Sequence, residues 1–78
     1  MDLSDDDLQL AQRLLDQLSN EWRKAARVIA HALESTPRLE GVTDADYFAV
    51  LLQLVAMDKV DGRGSESDMK CFEVRRRH

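Results

Sequence analysis

The sequence contains one cysteine, one proline and three glycines in 78 residues, and it lacks any long apolar run. A single cysteine, Cys71, cannot form an internal disulfide, so nothing in the sequence requires an oxidising compartment. The longest nearly continuous apolar segment, residues 47–57, is interrupted by Gln53 and is too short to span a bilayer. The first residues are acidic, whereas a secretory leader begins with basic ones. These absences predict a cytoplasmic protein that does not enter a membrane.

Positive charge is also scarce. The chain has 11 Lys and Arg residues against 15 Asp and Glu residues, which gives a net charge of −4 at pH 7. This is the wrong sign for unspecific attraction to nucleic acid or to an anionic membrane. The apolar content of 44% is typical of a globular protein and too high for a disordered one. A chain of this length predicts one domain, residues 1–78, with a small core that a partner or a second copy would help to stabilise.

Apolar periodicity and capping residues predict three helices. Ser4 can cap the first helix, and the three aspartates after it lie where the helix dipole favours negative charge. Thr43 and Asp46 have the spacing of a capping box at the start of the third helix. The predicted helices cover residues 5–18, 21–35 and 44–57.

The buried side of each predicted helix is given by apolar residues that recur every three or four positions. On the first helix these residues are Leu8, Ala11, Leu14, Leu15 and Leu18. On the second helix they are Trp22, Ala25, Ala26, Ile29 and Leu33. On the third helix they are Tyr47, Phe48, Leu51, Leu54 and Val55.

Two short strands are predicted after the helices, over residues 60–63 and 69–75, with turn-forming residues between them. Phe72 and Val74 alternate as the buried residues of a strand do. The predicted fold class is therefore mainly α, of the α+β type, with three helices followed by a short β-hairpin in a winged-helix-like order. The alternative is a three-helix bundle with a flexible tail.

Four segments resemble an uncharacterised bacterial domain, which is usually the C-terminal, winged-helix-like part of two-domain proteins of unknown function. They are residues 22–28 (WRKAARV), 41–45 (GVTDA), 68–70 (DMK) and 73–75 (EVR). This sequence departs from the family at two positions. Members usually carry an arginine near the position of Val50, and a glycine usually precedes the first strand of the hairpin, where this sequence has Asp58. The resemblance implies a fold and no activity.

Candidate catalytic residues are few. Nucleophilic catalysis would need Cys71 or a serine beside a base, and the sequence shows no such set. His31 with its neighbours has neither the number nor the spacing of ligands that a zinc site needs. No glycine-rich loop precedes a helix to bind a phosphate. The sequence thus predicts no catalytic, cofactor-binding or metal-binding residues, and a protein that is not an enzyme.

A basic cluster on the predicted second helix indicates a different role. Arg23, Arg27 and His31 have the spacing of one helix face. The candidate partner-binding residues are Trp22, Arg23, Lys24, Arg27, His31 and Arg75. They predict a small non-enzymatic interaction or regulatory accessory module that binds a protein. The alternatives are a solvated helix face with a disordered basic tail and, for Trp22, a core residue that joins the first two helices.

The other functional alternative is a winged-helix, DNA-binding transcriptional regulator. Its DNA contacts would come from the third helix and the hairpin, through Thr43, Tyr47, Arg63 and Lys70. The third helix contains no Lys or Arg, and its only charges are Asp44 and Asp46 near its N-terminus. The charge of this helix therefore argues against nucleic acid as a partner. A homodimer that buries the first helix is also predicted, because Leu10 lies away from the predicted apolar stripe.

Overall fold

A computed structural model describes residues 3–35 and 39–77 of the chain. In this part the protein has an α+β fold with three helices and one three-stranded antiparallel sheet. The helices are α1 (Asp5–Asp16), α2 (Ala25–Leu33) and α3 (Asp44–Ala56). The strands are β1 (Arg23–Lys24), β2 (Val60–Gly64) and β3 (Phe72–Arg76). The predicted fold class is confirmed at this level.

Both predicted helix caps are confirmed. Ser4 Oγ accepts a hydrogen bond from the Asp7 amide at 3.2 Å. At α3, Thr43 Oγ1 accepts from the Asp46 amide at 3.3 Å, and the Asp46 carboxylate accepts from the Thr43 amide at 2.9 Å. These bonds satisfy amides that have no partner within the helix, so both helices begin where the sequence predicts.

The beginning of the second helix was predicted wrongly. Residues 21–24 are not helical, because Arg23 and Lys24 form β1 and pair with β3 at Val74 and Glu73. The helix begins at Ala25 and has no side-chain cap at Lys24. Pairing with a distant strand therefore replaces the first helical turn that local periodicity predicted.

The sheet has the strand order β1-β3-β2, so the last strand in the sequence is its central one. The predicted hairpin is confirmed, with Val60 of β2 opposite Arg76 and Gly64 opposite Phe72. Its second strand begins three residues later than predicted, because the Cys71 amide donates to Asp68 O in a turn. The disordered basic tail, the alternative for residues 75–77, is therefore wrong for Arg75 and Arg76, which belong to a strand.

The core lies between the three helices and one face of the sheet. Its buried residues are Leu10, Ala11, Leu14, Leu18, Ala25, Val28, Ile29, Ala32, Tyr47, Val50, Leu51, Leu54, Val60, Phe72 and Val74. On α1 the predicted stripe is wrong at one end, since Leu8 is 51% exposed and Leu10 is buried. Apolar residues occur on two sides of this helix, and only the positions of α2 and α3 determine which side is covered.

The hairpin packs against α3 through an aromatic contact. Phe48 and Phe72 meet edge to face, with ring centroids 6.1 Å apart. Gly62 lies against the tip of the Phe72 ring, and a Cβ atom there would be 2.6 Å from Phe72 Cζ. The three-helix bundle with a flexible tail is therefore wrong, because the hairpin supplies part of the core. Among the described residues, no helix is long and apolar enough to cross a membrane.

Candidate functional site

The first surface of interest is a depression where the end of α1 meets β1 and α2. It has a volume of about 170 Å³ and combines polar with apolar walls. We call it the basic depression, and its lining residues are Asp16, Gln17, Arg23, Arg27, Val28 and His31. Three of the six predicted partner-binding residues therefore line one surface.

The arrangement differs from the predicted helix face. Arg27 and His31 are one helical turn apart on α2, as predicted. Arg23 is in β1 and approaches them because the strand leads directly into the helix. The sequence prediction missed Asp16 and Gln17, which join the site from the end of α1 and carry no signal in the local pattern.

The two arginines of the basic depression form no ion pair with the described residues. Arg23 Nε donates to Ser19 Oγ at 3.2 Å, and this partner is uncharged. Neither the Arg27 nor the His31 side chain makes a hydrogen bond or ion pair with the residues that the structure describes. Asp16 accepts a hydrogen bond from Gln12 Nε2 at 3.0 Å. Positive charge is thus left available to solvent or to a ligand.

Arginines elsewhere have carboxylate partners. Their ion pairs are Arg63–Glu73 at 3.1 Å, Arg75–Asp61 at 3.1 Å and Arg77–Asp58 at 3.0 Å. The side chains in these pairs are about one third to four fifths exposed, so each pair adds little to stability. Carboxylates thus pair with these hairpin arginines, whereas Arg23 and Arg27 form no ion pair among the described residues, although Asp16 lines the same depression.

Trp22 lies on the outer face of the sheet. The guanidinium carbons of Arg63 and Arg75 lie over its ring, at 4.2 and 4.6 Å from the centroid. The ring is half-buried, and both cations come from the hairpin rather than from the residues next to Trp22 in the sequence. The prediction of a core residue joining the first two helices is wrong. Trp22 instead holds β1 against the hairpin through cation–π contacts.

The remaining predicted partner-binding residues are separated from the basic depression. Arg75 contacts Trp22 and Asp61 on the sheet. Lys24 is exposed, and its Nζ donates to Lys70 O at 3.3 Å near the turn before β3. The structure thus divides the six predicted residues between the basic depression, the outer sheet face and the turn.

One of the predicted DNA-contacting residues is not on the surface of the protein. Tyr47 is 1% exposed, and its hydroxyl donates to Ala32 O at 3.4 Å, so its assignment as a DNA contact is wrong. Thr43 caps α3, and the Arg63 guanidinium contacts Trp22 and Glu73. Lys70 is exposed in the turn that precedes β3.

The described residues also include the cysteine and side chains of the types that bind metals. No group of three or more His, Cys, Asp or Glu side chains in residues 3–35 and 39–77 could hold a metal ion. Cys71 is exposed, and its thiol donates to Asp68 Oδ2 at 3.6 Å.

Comparison with known proteins adds no further information about the site. No family model, curated protein or solved structure matches the chain. The function proposed below therefore rests on the residues and charges of the basic depression.

Proposed function

We propose that the protein is a non-enzymatic, winged-helix-like interaction module that binds an acidic segment of a protein partner in the basic depression. The observation that carries the proposal is that Arg23 and Arg27 line that depression and form no ion pair among the described residues. Arginine clusters commonly recognise acidic or phosphorylated segments in this way.

The order of elements supports the winged-helix part of the proposal. A helix, a short strand, two helices and a hairpin follow one another, and β3 lies between β1 and β2. Winged-helix domains have this order, with the first short strand at the edge of the sheet. The proposed resemblance to the uncharacterised bacterial domain is compatible with the same order.

Charge favours a protein partner over DNA. In the usual docking of this fold, α3 would enter the major groove. Its N-terminus carries exposed Asp44 and Asp46, and no Lys or Arg occurs along the helix. Phosphate contacts by Lys and Arg supply most of the affinity for DNA, so α3 would repel the duplex. The basic depression, formed by β1, α2 and the end of α1, lies outside α3.

The proposal is tested with two double variants of equal charge change. Arg23→Glu/Arg27→Glu changes the basic depression, whereas Lys70→Glu/Arg77→Glu makes the same charge change at exposed cations elsewhere. Affinity purification from the cells of origin, with mass spectrometry of retained protein and nucleic acid, compares each variant with the wild type. We expect the first variant to lose the partner and the second to keep it, with weaker retention by the wild type at high salt.

Circular dichroism controls for folding of both variants. If both retain the same proteins in equal amounts, the basic depression is only a solvated surface and the proposal is wrong. A sequence-dependent complex with duplex DNA at physiological salt, weakened by Arg63→Ala, would instead favour the transcriptional regulator.

A further inference from the structure

A second depression lies between α1 and the C-terminal end of α3. Its volume is about 290 Å³, and its surface is mostly apolar. We call it the apolar depression, and the residues that matter for the argument are Leu3, Leu8, Leu15, Leu54 and Met57. Among the described residues, Leu8 is the one large apolar side chain that is exposed, at 51%.

The apolar depression reflects a second apolar stripe on α1. Leu10 and Leu14 face the core, whereas Leu8 and Leu15 line the depression two helical turns apart. A helix with apolar residues on two sides needs a partner for each side if both are to be buried. Leu3 and Leu15 are partly buried against the core, whereas Leu8 on the same side stays 51% exposed in the part of the chain that is described.

The charge of α1 selects the kind of partner. The helix has Asp5, Asp6 and Asp7 in its first turn, and Asp16 at its end, against the single cation Arg13. Asp5 lies one turn before Leu8, on the same face. A symmetric dimer through this surface would bring two acidic helices together, which like-charge repulsion opposes.

We propose that the apolar depression binds an amphipathic helix of a partner protein, with leucine-like residues on one face and Lys or Arg beside them. Leu8 and Leu15 would meet the apolar face, and Asp5, on the same face of α1 as Leu8, would meet a flanking cation. Lys59 also lines the depression, and its aliphatic stem can pack there while the ammonium group stays in water. This surface has the opposite charge preference to the basic depression, so the inference does not rest on the proposed function.

The test uses a synthetic helical peptide of about four turns, with leucine on one face and lysine at all other positions. A matched peptide carries glutamate in place of every lysine. Titration of the isotopically labelled protein, followed by NMR, should shift the amides of α1 and of residues 54–57 with the lysine peptide alone. Leu8→Gln should weaken binding about tenfold, because burying the exposed half of a leucine contributes about half of its transfer free energy.

Gln9→Ala is the matched control, since Gln9 is exposed on α1 and does not line the apolar depression. It should leave the affinity unchanged. Equal binding of the lysine peptide by the wild type and Leu8→Gln would overturn the proposal, because attraction would then be purely electrostatic. Sedimentation that shows a wild-type dimer abolished by Leu8→Gln, without peptide binding, would overturn it in favour of a second copy.

Discussion

Gly62→Ala tests whether the hairpin is part of the folded core. The added Cβ would be 2.6 Å from Phe72 Cζ and 3.0 Å from Val55 Cγ2. Phe72 is 1% exposed and contacts Phe48 edge to face, so its ring cannot turn away without displacing other core side chains. Overpacking of this kind costs about 1–3 kcal/mol. In a domain of this size, the melting temperature should fall by about 5–20 °C.

A double-mutant cycle separates this clash from a general effect on the strand. Phe72→Leu removes the ring tip that the new methyl group would meet. Gly62→Ala should therefore destabilise the Phe72→Leu protein much less than the wild type, and the difference is the coupling free energy.

Denaturant unfolding, followed by circular dichroism and by the fluorescence of Trp22, measures all four proteins. The two signals should change together, because helices and sheet share one core. Equal costs of Gly62→Ala in both backgrounds would refute the contact with Phe72. A change below about 0.5 kcal/mol in the wild-type background would refute the overpacking argument.

Two other substitutions test the ends of α3. Thr43→Ala removes the hydroxyl that accepts the hydrogen bond from the Asp46 amide, so it should lower the free energy of unfolding by about 1 kcal/mol. Denaturant unfolding measures this change, and an unchanged free energy would contradict the observed cap. Asp58 has a φ of 59° in the turn after α3, where glycine is favoured, so Asp58→Gly should raise the stability by about 0.5 kcal/mol at high salt. Thermal unfolding measures this change, and an unchanged or lower melting temperature would contradict the argument from the backbone conformation, because high salt screens the exposed ion pair with Arg77.

The sequence was sufficient to predict features that depend on nearby residues. Ser4 and Thr43 begin helices because their side chains bond to amides three residues later. Phe72 and Val74 alternate as a strand with one buried face requires, and both are buried. These signals are local, so no knowledge of the rest of the fold was needed to interpret them.

Features that depend on distant residues could not be predicted in this way. The two residues of β1 are too few to show a strand pattern, and they are extended because β3 pairs with them. The same pairing moves Arg23 off the helix and Trp22 onto the outer sheet face. Tyr47 is apolar enough for the core and polar enough for a DNA contact, and only the position of Ala32 O, which its hydroxyl reaches, decides between them.

Because β3 lies at the centre of the sheet, it pairs with two strands, and we expect these two pairings to form in sequence. The β2–β3 hairpin joins neighbouring segments, whereas Arg23 must find Val74 across most of the chain, and closing so long a loop costs entropy. With only two residue pairs, the β1–β3 junction is also the smallest pairing in the sheet and should open before the core does. Trp22 and Arg23 lie at this junction, so local opening there would dismantle the basic depression while the helices stay folded.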